Sequence, residues 1–212
     1  MPKFLVAALA VVLLSACQQA PEEKDDVLAI RCGAVVDAQL PEGAEVLDLS
    51  DYTCLPGLID THTHLALNPE DSADMTVYYR LTEQENLAVT SENARKTLFA
   101  GFTTVRNVGE YYPEAICESR RQIDEGQIAG PRIQTAGSYL TIAGGGGDLV
   151  IPGHDPSEIP PETRIGVARG PEEFSAAAQR IVDNGADMLK VIASGAVFAF
   201  GGVPGSPEMT NR

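Results

Sequence analysis

The sequence has too few positive charges for a nucleic-acid-binding protein, and its hydrophobic runs are too short for a membrane-spanning one. Its 212 residues include 15 lysines and arginines against 30 aspartates and glutamates, which gives a net charge of −15. Nucleic-acid binding needs a basic surface, so we exclude it; the acidic balance favours a soluble, self-repelling surface. No hydrophobic run of the mature chain is long enough to span a bilayer as a helix. The 44% hydrophobic content still suffices for one sizeable core or two small ones.

The N-terminus has the pattern of an export signal. Lys3 provides the positive start, and residues 4–14 form an apolar segment too short to span a bilayer. Leu-Ser-Ala-Cys at 14–17 resembles a bacterial lipobox, which predicts a signal peptide over residues 1–16 and acylation of Cys17. An ordinary cleavage site without lipidation is the alternative. Either way, we predict that the protein leaves the cytoplasm.

The residues after the signal indicate how the protein is attached to the membrane. Residues 17–26 are polar and charged, which is typical of a flexible tether. We therefore expect an exported, periplasmic protein that contacts the membrane only through the lipid on Cys17. Gln18 rather than aspartate follows this cysteine, which in the familiar Gram-negative sorting pattern favours the outer membrane over the inner one.

Few cysteines follow the acylated one, and export makes each of them a candidate for oxidation. They are Cys32, Cys54 and Cys117. Cys32 and Cys54 fall on adjacent predicted strands, so a disulfide between them is possible. Because disulfide geometry is demanding and cysteine is often a small buried side chain, we expect buried thiols instead.

Two of the three histidines stand two residues apart after a short apolar run. Residues 55–65 read Leu-Pro-Gly-Leu-Ile-Asp-Thr-His-Thr-His-Leu, so a strand beginning after the Pro-Gly pair delivers His62 and His64. Positions i and i+2 of a strand share a face, and two neutral imidazoles can then bind one divalent metal. Asp60 has the same parity and could add an acceptor or support a ligand. Two solvated histidines in a loop are the alternative.

Elsewhere the chain alternates between strand-like and helix-like segments. A turn at 41–43 separates the first two strands. We predict strands over 27–37, 44–49, 102–108, 131–140 and 187–193, and helices over 80–100, 113–125 and 171–182. Strands that alternate with helices indicate a parallel α/β sheet.

Three motifs in chain order resemble the amidohydrolase superfamily. Residues 55–65 resemble its signature, in which a His-x-His ends the first strand of a (β/α)8 barrel. Ala-Gly-Phe-Thr-Thr-Val-Arg-Asn-Val-Gly at 100–109 resembles the second strand. Ala-Asp-Met-Leu-Lys-Val-Ile-Ala-Ser-Gly at 186–195 resembles the fourth strand of the Xaa-Pro dipeptidase and imidazolonepropionase-like branch. The likeness covers roughly residues 27–212.

The resemblance implies an α/β fold: the first half of a TIM-type (β/α)8 barrel preceded by a small β-subdomain. Residues 27–57 would supply the N-terminal strands of that subdomain, and residues 58–212 the first four βα units. A complete barrel takes about 250 residues, so we expect the N-terminal part of a longer enzyme that is inactive by itself. The competing interpretation is a half-barrel that dimerises, and a homo-oligomer remains possible.

Lys190 is the second candidate ligand, in the apolar run Met-Leu-Lys-Val-Ile at 188–192. Its flanking residues predict burial on both faces, and desolvation favours a neutral amine that can react with carbon dioxide to form a carbamate. The resemblance implies this role, with carboxylated Lys190 bridging two divalent metals, expected to be zinc, that His62 and His64 also bind. A lysine that reaches solvent or pairs with an acid is the alternative.

The implied reaction is metal-assisted hydrolysis of an amide or peptide-type C–N bond by a bridging hydroxide. The family takes its general base from an aspartate on the eighth strand and two further metal histidines from the fifth and sixth. These would lie beyond Arg212. The implied substrate is a dipeptide or another small molecule. Alternatives are a lactone, ester or cyclic-amide hydrolase of the same fold, and a non-catalytic solute-binding lipoprotein.

A glycine-rich loop at 141–148 follows the third predicted strand and should lie at the active-site end of a barrel. Related enzymes often have a histidine in this loop, which is missing here, and His154 is the available substitute. Tyr139, Asp148 and Arg106 are lesser candidates for substrate contact. We expect each to be structural, Arg106 through an ion pair and Tyr139 through packing.

Overall fold

The computed structural model describes most of the chain, namely residues 28–34, 45–68, 70–71, 74–196 and 203–209. The predicted signal peptide, lipidation site, tether and turn at 41–43 lie outside these residues. The chain divides into two compact units, one ending at Pro56 and the other beginning at Gly57. Across the described residues, no helix combines the length and apolar character needed to cross a membrane.

The N-terminal unit contains two parallel strands, β1 (Leu28–Ala34) and β2 (Glu45–Thr53). Cys32 lies in β1 and Cys54 directly follows β2, and the two form a disulfide with their Cα atoms 5.9 Å apart. The expectation of buried thiols was therefore wrong. The parallel register places Cys32 opposite Leu49 but Ala34 opposite Thr53, so the register shifts between Cys32 and Ala34, and Cys54 follows Thr53 close to Cys32.

The C-terminal unit is built on five parallel strand segments that pair in chain order. β3, β4 and β5 form one sheet, and β6 pairs with β7. Their bounds are β3 Leu58–Thr63, β4 Phe102–Asn107, β5 Arg132–Thr135, β6 Tyr139–Leu140 and β7 Lys190–Val191. Adjacent parallel strands joined by helical crossovers are the start of a barrel, so the predicted half-barrel fold is confirmed.

The third and fourth predicted strands differ in detail. Residues 131–140 were predicted as one strand, but the chain breaks between β5 and β6, where Gly137 has a φ of +62° that favours glycine. The fourth strand is shorter than predicted. Asp187 nevertheless joins the ladder, because its backbone N–H donates to the Thr135 carbonyl and its carboxylate accepts the Thr135 N–H, both at 2.8 Å.

The helices begin and end close to where their sequence signals stand. Thr82 and Glu85 form a reciprocal capping box, and Pro113 occupies the first turn of its helix. Glycines with positive φ follow the helices at Gly101 and Gly126. The helices are α1 Val77–Arg80, α2 Glu83–Phe99, α3 Pro113–Asp124 and α4 Gly170–Asp183, with 3-10 turns at Pro156–Glu158 and Pro161–Arg164.

Helices α2 and α3 cover the β3–β5 sheet. Their shared core is formed by five buried side chains, Leu65, Ala94, Val105, Ile116 and Ile133. A separate cluster packs α4 against β6, and a third lies under the loop that follows β6. The apolar side chains of the edge strand β3 are less covered, since Leu58 and Ile59 are 52% and 65% exposed.

Candidate metal site

The structure brings His62 and His64 together at the carboxyl end of β3. Their ring centroids lie 5.4 Å apart, with the ring planes inclined by 69°. His62 is exposed, while His64 is half-buried because the chain turns inward after β3. Imidazoles this close at the rim of a parallel sheet can face one cation from two sides. Whether they bind a metal stays a prediction.

His64 is held in one orientation by the end of β4. Its Nδ1 atom lies 2.8 Å from the carbonyl oxygen of Gly109 and 3.2 Å from the hydroxyl of Tyr139. A carbonyl only accepts, so Nδ1 carries the proton and donates to it. Nε2 is then the unprotonated nitrogen, which is the tautomer that a metal ligand requires.

The electrostatics favour the neutral form of this imidazole. Burial is the main cause that lowers the pKa of His64, and the nearby positive charges of His62 and Lys190 lower it further, while the hydrogen bond to Gly109 acts in the opposite direction. A divalent metal binds neutral imidazole, and the lowered pKa keeps His64 in that form.

Lys190 begins β7 and pairs in register with Tyr139, whose hydroxyl contacts His64. It is half-buried on the side of the strand that carries the partly buried Ile192. The predicted burial of both faces was wrong, because Leu189 and Val191 on the opposite side are 42% and 46% exposed. The register therefore places Lys190 one strand away from the residue that supports His64.

The end of β4 and the residues after it support the chain beside His64, and sequence reasoning missed this. Asn107 accepts the Leu65 N–H through Oδ1 at 2.8 Å and donates through Nδ2 to Glu110 Oε1 at 2.9 Å. Glu110 Oε1 also accepts the Ala66 N–H at 3.1 Å. Both side chains are completely buried. The only signal in the sequence is an acidic residue placed directly after the strand-ending Val-Gly pair.

Glu110 is a carboxyl group in an apolar setting. Burial raises its pKa to about 7, against the opposing effect of its hydrogen bonds with Ala66 and Asn107. Its second oxygen, Oε2, is buried and has no hydrogen-bond partner among the described residues. A carboxyl group at this position is therefore poised between its neutral and charged forms near neutral pH.

Two neighbouring candidates from the sequence are engaged with the backbone. Asp60 Oδ1 accepts the backbone N–H of His62 at 2.9 Å, which supports the strand that carries the ligand. Arg106 is exposed, and its Nε donates to the carbonyl oxygen of Thr61 at 2.7 Å. The expected ion pair of Arg106 is replaced by this bond between strands, because its side chain extends across β3.

The glycine-rich loop is closely packed against β6 and the residues that follow β7. Added Cβ atoms would lie 2.9 Å from Ala196 at Gly146 and 2.7 Å from Tyr139 at Gly147. Gly146 also donates its N–H to Glu208 at 2.8 Å. The run of glycines therefore permits close approach of the loop to its neighbours, which no side chain would allow.

Asp148 and His154 lie in the wall of a cavity of about 210 Å³ beside this loop. Asp148 is buried and accepts two hydrogen bonds from Arg164, Nε and Nη2 at 2.7 Å each. His154 contacts the Tyr79 hydroxyl at 3.4 Å and the carboxylate of Glu158 at 3.8 Å. The described contacts of Asp148 and His154 are therefore made with α1 and with the region after β6, and none of them is with His62 or His64.

Tyr139 is buried behind His64, and its ring packs against that of Tyr111 at 5.4 Å. Desolvation keeps the pKa of Tyr139 well above its ordinary value, so its hydroxyl stays neutral. Over the part of the chain that the structure describes, no group of three or more His, Cys, Asp or Glu side chains forms a metal site. That Lys190 supplies a third ligand after carboxylation stays a prediction.

Comparisons with known proteins bear on this site. A profile of the amidohydrolase family matches residues 53–211. Ochratoxinase from Aspergillus niger is 26% identical over 156 residues, which are 68% of this chain and 32% of ochratoxinase. Imidazolonepropionase from Fusobacterium nucleatum is 46% identical over 43 residues, 20% of this chain and 10% of that protein.

A solved structure extends the likeness to three dimensions. The crystal structure of a Xaa-Pro dipeptidase with methionine bound in its active site superposes with a TM-score of 0.66 at 30% identity, covering 82% of this chain and 42% of the dipeptidase. The chain thus spans less than half the length of these relatives. Because the family profile matches most of its residues, this chain belongs to the amidohydrolase family.

Proposed function

We propose that this chain provides one side of the active site of a divalent-metal-dependent hydrolase that cleaves C–N bonds in small substrates of the Xaa-Pro dipeptide class. The observation that carries the proposal is the orientation of His64, whose Nδ1 is held by Gly109 while the ring of His62 lies 5.4 Å away. Membership of the amidohydrolase family and the likeness to a Xaa-Pro dipeptidase support the reaction class.

His62, His64 and carboxylated Lys190 would hold the metal ions, most simply zinc. A metal bound there would activate water and polarise the scissile carbonyl group. Among the chain's own residues, Gly109 and Tyr139 orient the His64 ring. A general base is not assigned to any residue of this chain.

The test uses the longest open reading frame that contains this chain. Metal analysis of the purified protein should give close to stoichiometric zinc-type metal, and His62→Asn and His64→Asn should lose both the metal and the hydrolysis of Xaa-Pro dipeptides. His154→Asn is the matched control for metal content, because the described contacts of this histidine are with Tyr79 and Glu158 and not with the pair. Hydrolysis that survives both a chelator and His64→Asn would refute the proposal.

A cyclic amide is the second candidate substrate, favoured by the local likeness to imidazolonepropionase. Lactones and esters are cleaved by the same kind of site, so a panel of Xaa-Pro dipeptides, cyclic ureas and lactones separates these classes. A kcat/KM at least about tenfold higher for one class, equivalent to ~1.4 kcal/mol, would decide between them.

We also propose that the protein is exported and anchored by a lipid on Cys17. The disulfide between Cys32 and Cys54 supports export, since such bonds persist in oxidising compartments. Metabolic labelling with a radioactive fatty acid should mark the wild type and not Cys17→Ser. Equal labelling of both would refute lipidation at this residue.

A further inference from the structure

The end of β4 forms hydrogen bonds with the neighbouring segments on both of its sides. The Val108 N–H donates to the Thr63 carbonyl at 2.9 Å, and the Gly109 carbonyl binds the His64 ring. On the opposite side, the Glu110 N–H donates to the Gly137 carbonyl at 2.8 Å. This four-residue segment, 107–110, therefore connects the residues around His64 to the break in the third strand.

Two side chains of segment 107–110 also form hydrogen bonds with the backbone of the residues that follow His64. Leu65 and Ala66 follow His64 where the chain leaves β3, so their N–H groups have no ladder partner there. Asn107 takes the first of these N–H groups and Glu110 the second. Asn107 also donates to the same Glu110 oxygen. Three hydrogen bonds thus meet at two completely buried side chains.

We infer that Glu110 is a positioning residue of the candidate metal site, whose Oε1 fixes the Leu65–Ala66 peptide and, through Asn107, the peptide directly after His64, and thereby the direction of the His64 imidazole. The role rests on geometry: Oε1 is the shared acceptor for the Ala66 N–H and for Asn107, which binds the Leu65 N–H. Removing Oε1 leaves the Ala66 N–H and Asn107 Nδ2 buried without an acceptor. Unpaired buried donors are costly, so the chain around His64 would rearrange.

This inference depends on the proposed metal site. A substitution that keeps an acceptor oxygen at position 110 but removes the charge distinguishes positioning from an effect of charge. In Glu110→Gln the amide oxygen can replace Oε1, so we expect metal affinity within about threefold of wild type. In Glu110→Ala the acceptor is lost, and affinity should fall about 10- to 100-fold, as when a hydrogen-bond partner of a metal-binding histidine is removed. Glu110→Asp is shorter by one methylene and should fall in the same direction.

The measurement is Co²⁺ and Zn²⁺ affinity by competition with a chromophoric chelator, in the longest open reading frame that contains this chain. The visible spectrum of the Co²⁺ form reports coordination geometry directly and should change in Glu110→Ala but not in Glu110→Gln. Thr90→Ala is the control, because Thr90 is fully buried and donates only to Asn86 of its own helix, at 2.8 Å. It should lose stability and keep wild-type metal affinity.

The outcomes separate the two proposals. A wild-type protein that binds no divalent metal overturns the metal site and, with it, this role. Wild-type binding together with unchanged affinity and spectrum in Glu110→Ala overturns only the positioning role. If Glu110→Ala does not fold, Glu110→Asp decides: affinity and spectrum equal to those of Glu110→Gln overturn the role, and a loss relative to Glu110→Gln supports it.

Discussion

The Nδ1 atom of His64 lies 2.8 Å from the carbonyl oxygen of Gly109, so the second strand of the half-barrel determines how the ligand of the first strand is presented. This relationship joins residues 45 positions apart in the chain. It fixes the tautomer of the imidazole without any charged partner, because a peptide carbonyl accepts at any pH. The conformation at Gly109 is therefore part of the site.

Gly109→Ala should disrupt this relationship through two effects. Gly109 has a φ of +119°, which side chains disfavour, and an added Cβ would lie 2.6 Å from the ring of Tyr139. We expect a loss of more than ~2 kcal/mol in the free energy of unfolding, from strain plus overpacking, together with weaker metal binding. Urea denaturation and chelator competition measure the two effects.

Gly101→Ala is the matched control for that experiment. Gly101 also has a positive φ, +97°, but an added Cβ there meets nothing within 4 Å. It should cost only the backbone strain, about 1 kcal/mol, and leave metal affinity unchanged. Equal losses of stability and of metal affinity in the two variants would contradict a specific role for Gly109.

The Asp148–Arg164 pair should contribute strongly to the stability of the loop after β6. Asp148 is buried and also accepts the Gly144 N–H at 2.8 Å, so Arg164→Ala leaves a charge without its partner. We expect a loss of about 3 kcal/mol in the free energy of unfolding. The exposed Arg121, which pairs with Glu118 and Glu125, provides the comparison, and Arg121→Ala should cost clearly less because water screens these pairs.

A double-mutant cycle distinguishes pairing from packing in this loop. If the pair accounts for the loss, Arg164→Ala in an Asp148→Asn background should cost clearly less than in wild type, because no buried charge is left behind. Equal costs in both backgrounds would show that the Arg164 stem, and not the ion pair, stabilises the loop.

Local patterns predicted the parts of the molecule that local physics decides. Pro113 and Gly126 mark the ends of α3 because their backbone preferences act within one turn. His62 and His64 lie together because strand periodicity alone puts them on one face. The order of the parallel strands follows from the same alternation of elements.

Contacts between segments that are distant in the sequence could not be predicted from local patterns. Glu110 binds the N–H of Ala66, 44 positions earlier, and its burial depends on how β3 and β4 pair. The partner of Asp148 is Arg164, which stands in a 3-10 turn without a sequence signal for it. Buried thiols were expected at Cys32 and Cys54 because disulfide geometry is demanding, and the register of β1 and β2 that brings the two cysteines together is a tertiary property.

Stability should fall as the pH rises because of Glu110. The folded state raises its pKa to about 7 from an ordinary 4.5, so the folded state retains a proton that the unfolded state releases. The contribution is complete below pH 4.5, declines between 4.5 and 7, and is lost above 7. The linkage amounts to roughly 3 kcal/mol over this range.

Glu110→Gln is the reference for this pH dependence because it has no titrating group. The difference in free energy of unfolding, wild type minus variant, should decrease from pH 4.5 to 7 in metal-free protein, measured by urea denaturation at each pH. A difference that stays constant or increases across this range would show that the carboxyl group is already ionised in the folded protein.

The disulfide between Cys32 and Cys54 should stabilise the N-terminal unit, since it closes a loop of 22 residues in sequence separation. Loop-closure entropy predicts about 3 kcal/mol, which Cys32→Ser with Cys54→Ser should remove.

Mapping of alkylated peptides without reductant should mark Cys117, the free cysteine of the described residues, and leave Cys32 and Cys54 unmodified. Because burial raises the pKa of the Cys117 thiol, its labelling should need denaturant or raised pH. Alkylation of Cys32 before reduction would show that the bond is absent and would remove the structural support for an oxidising compartment.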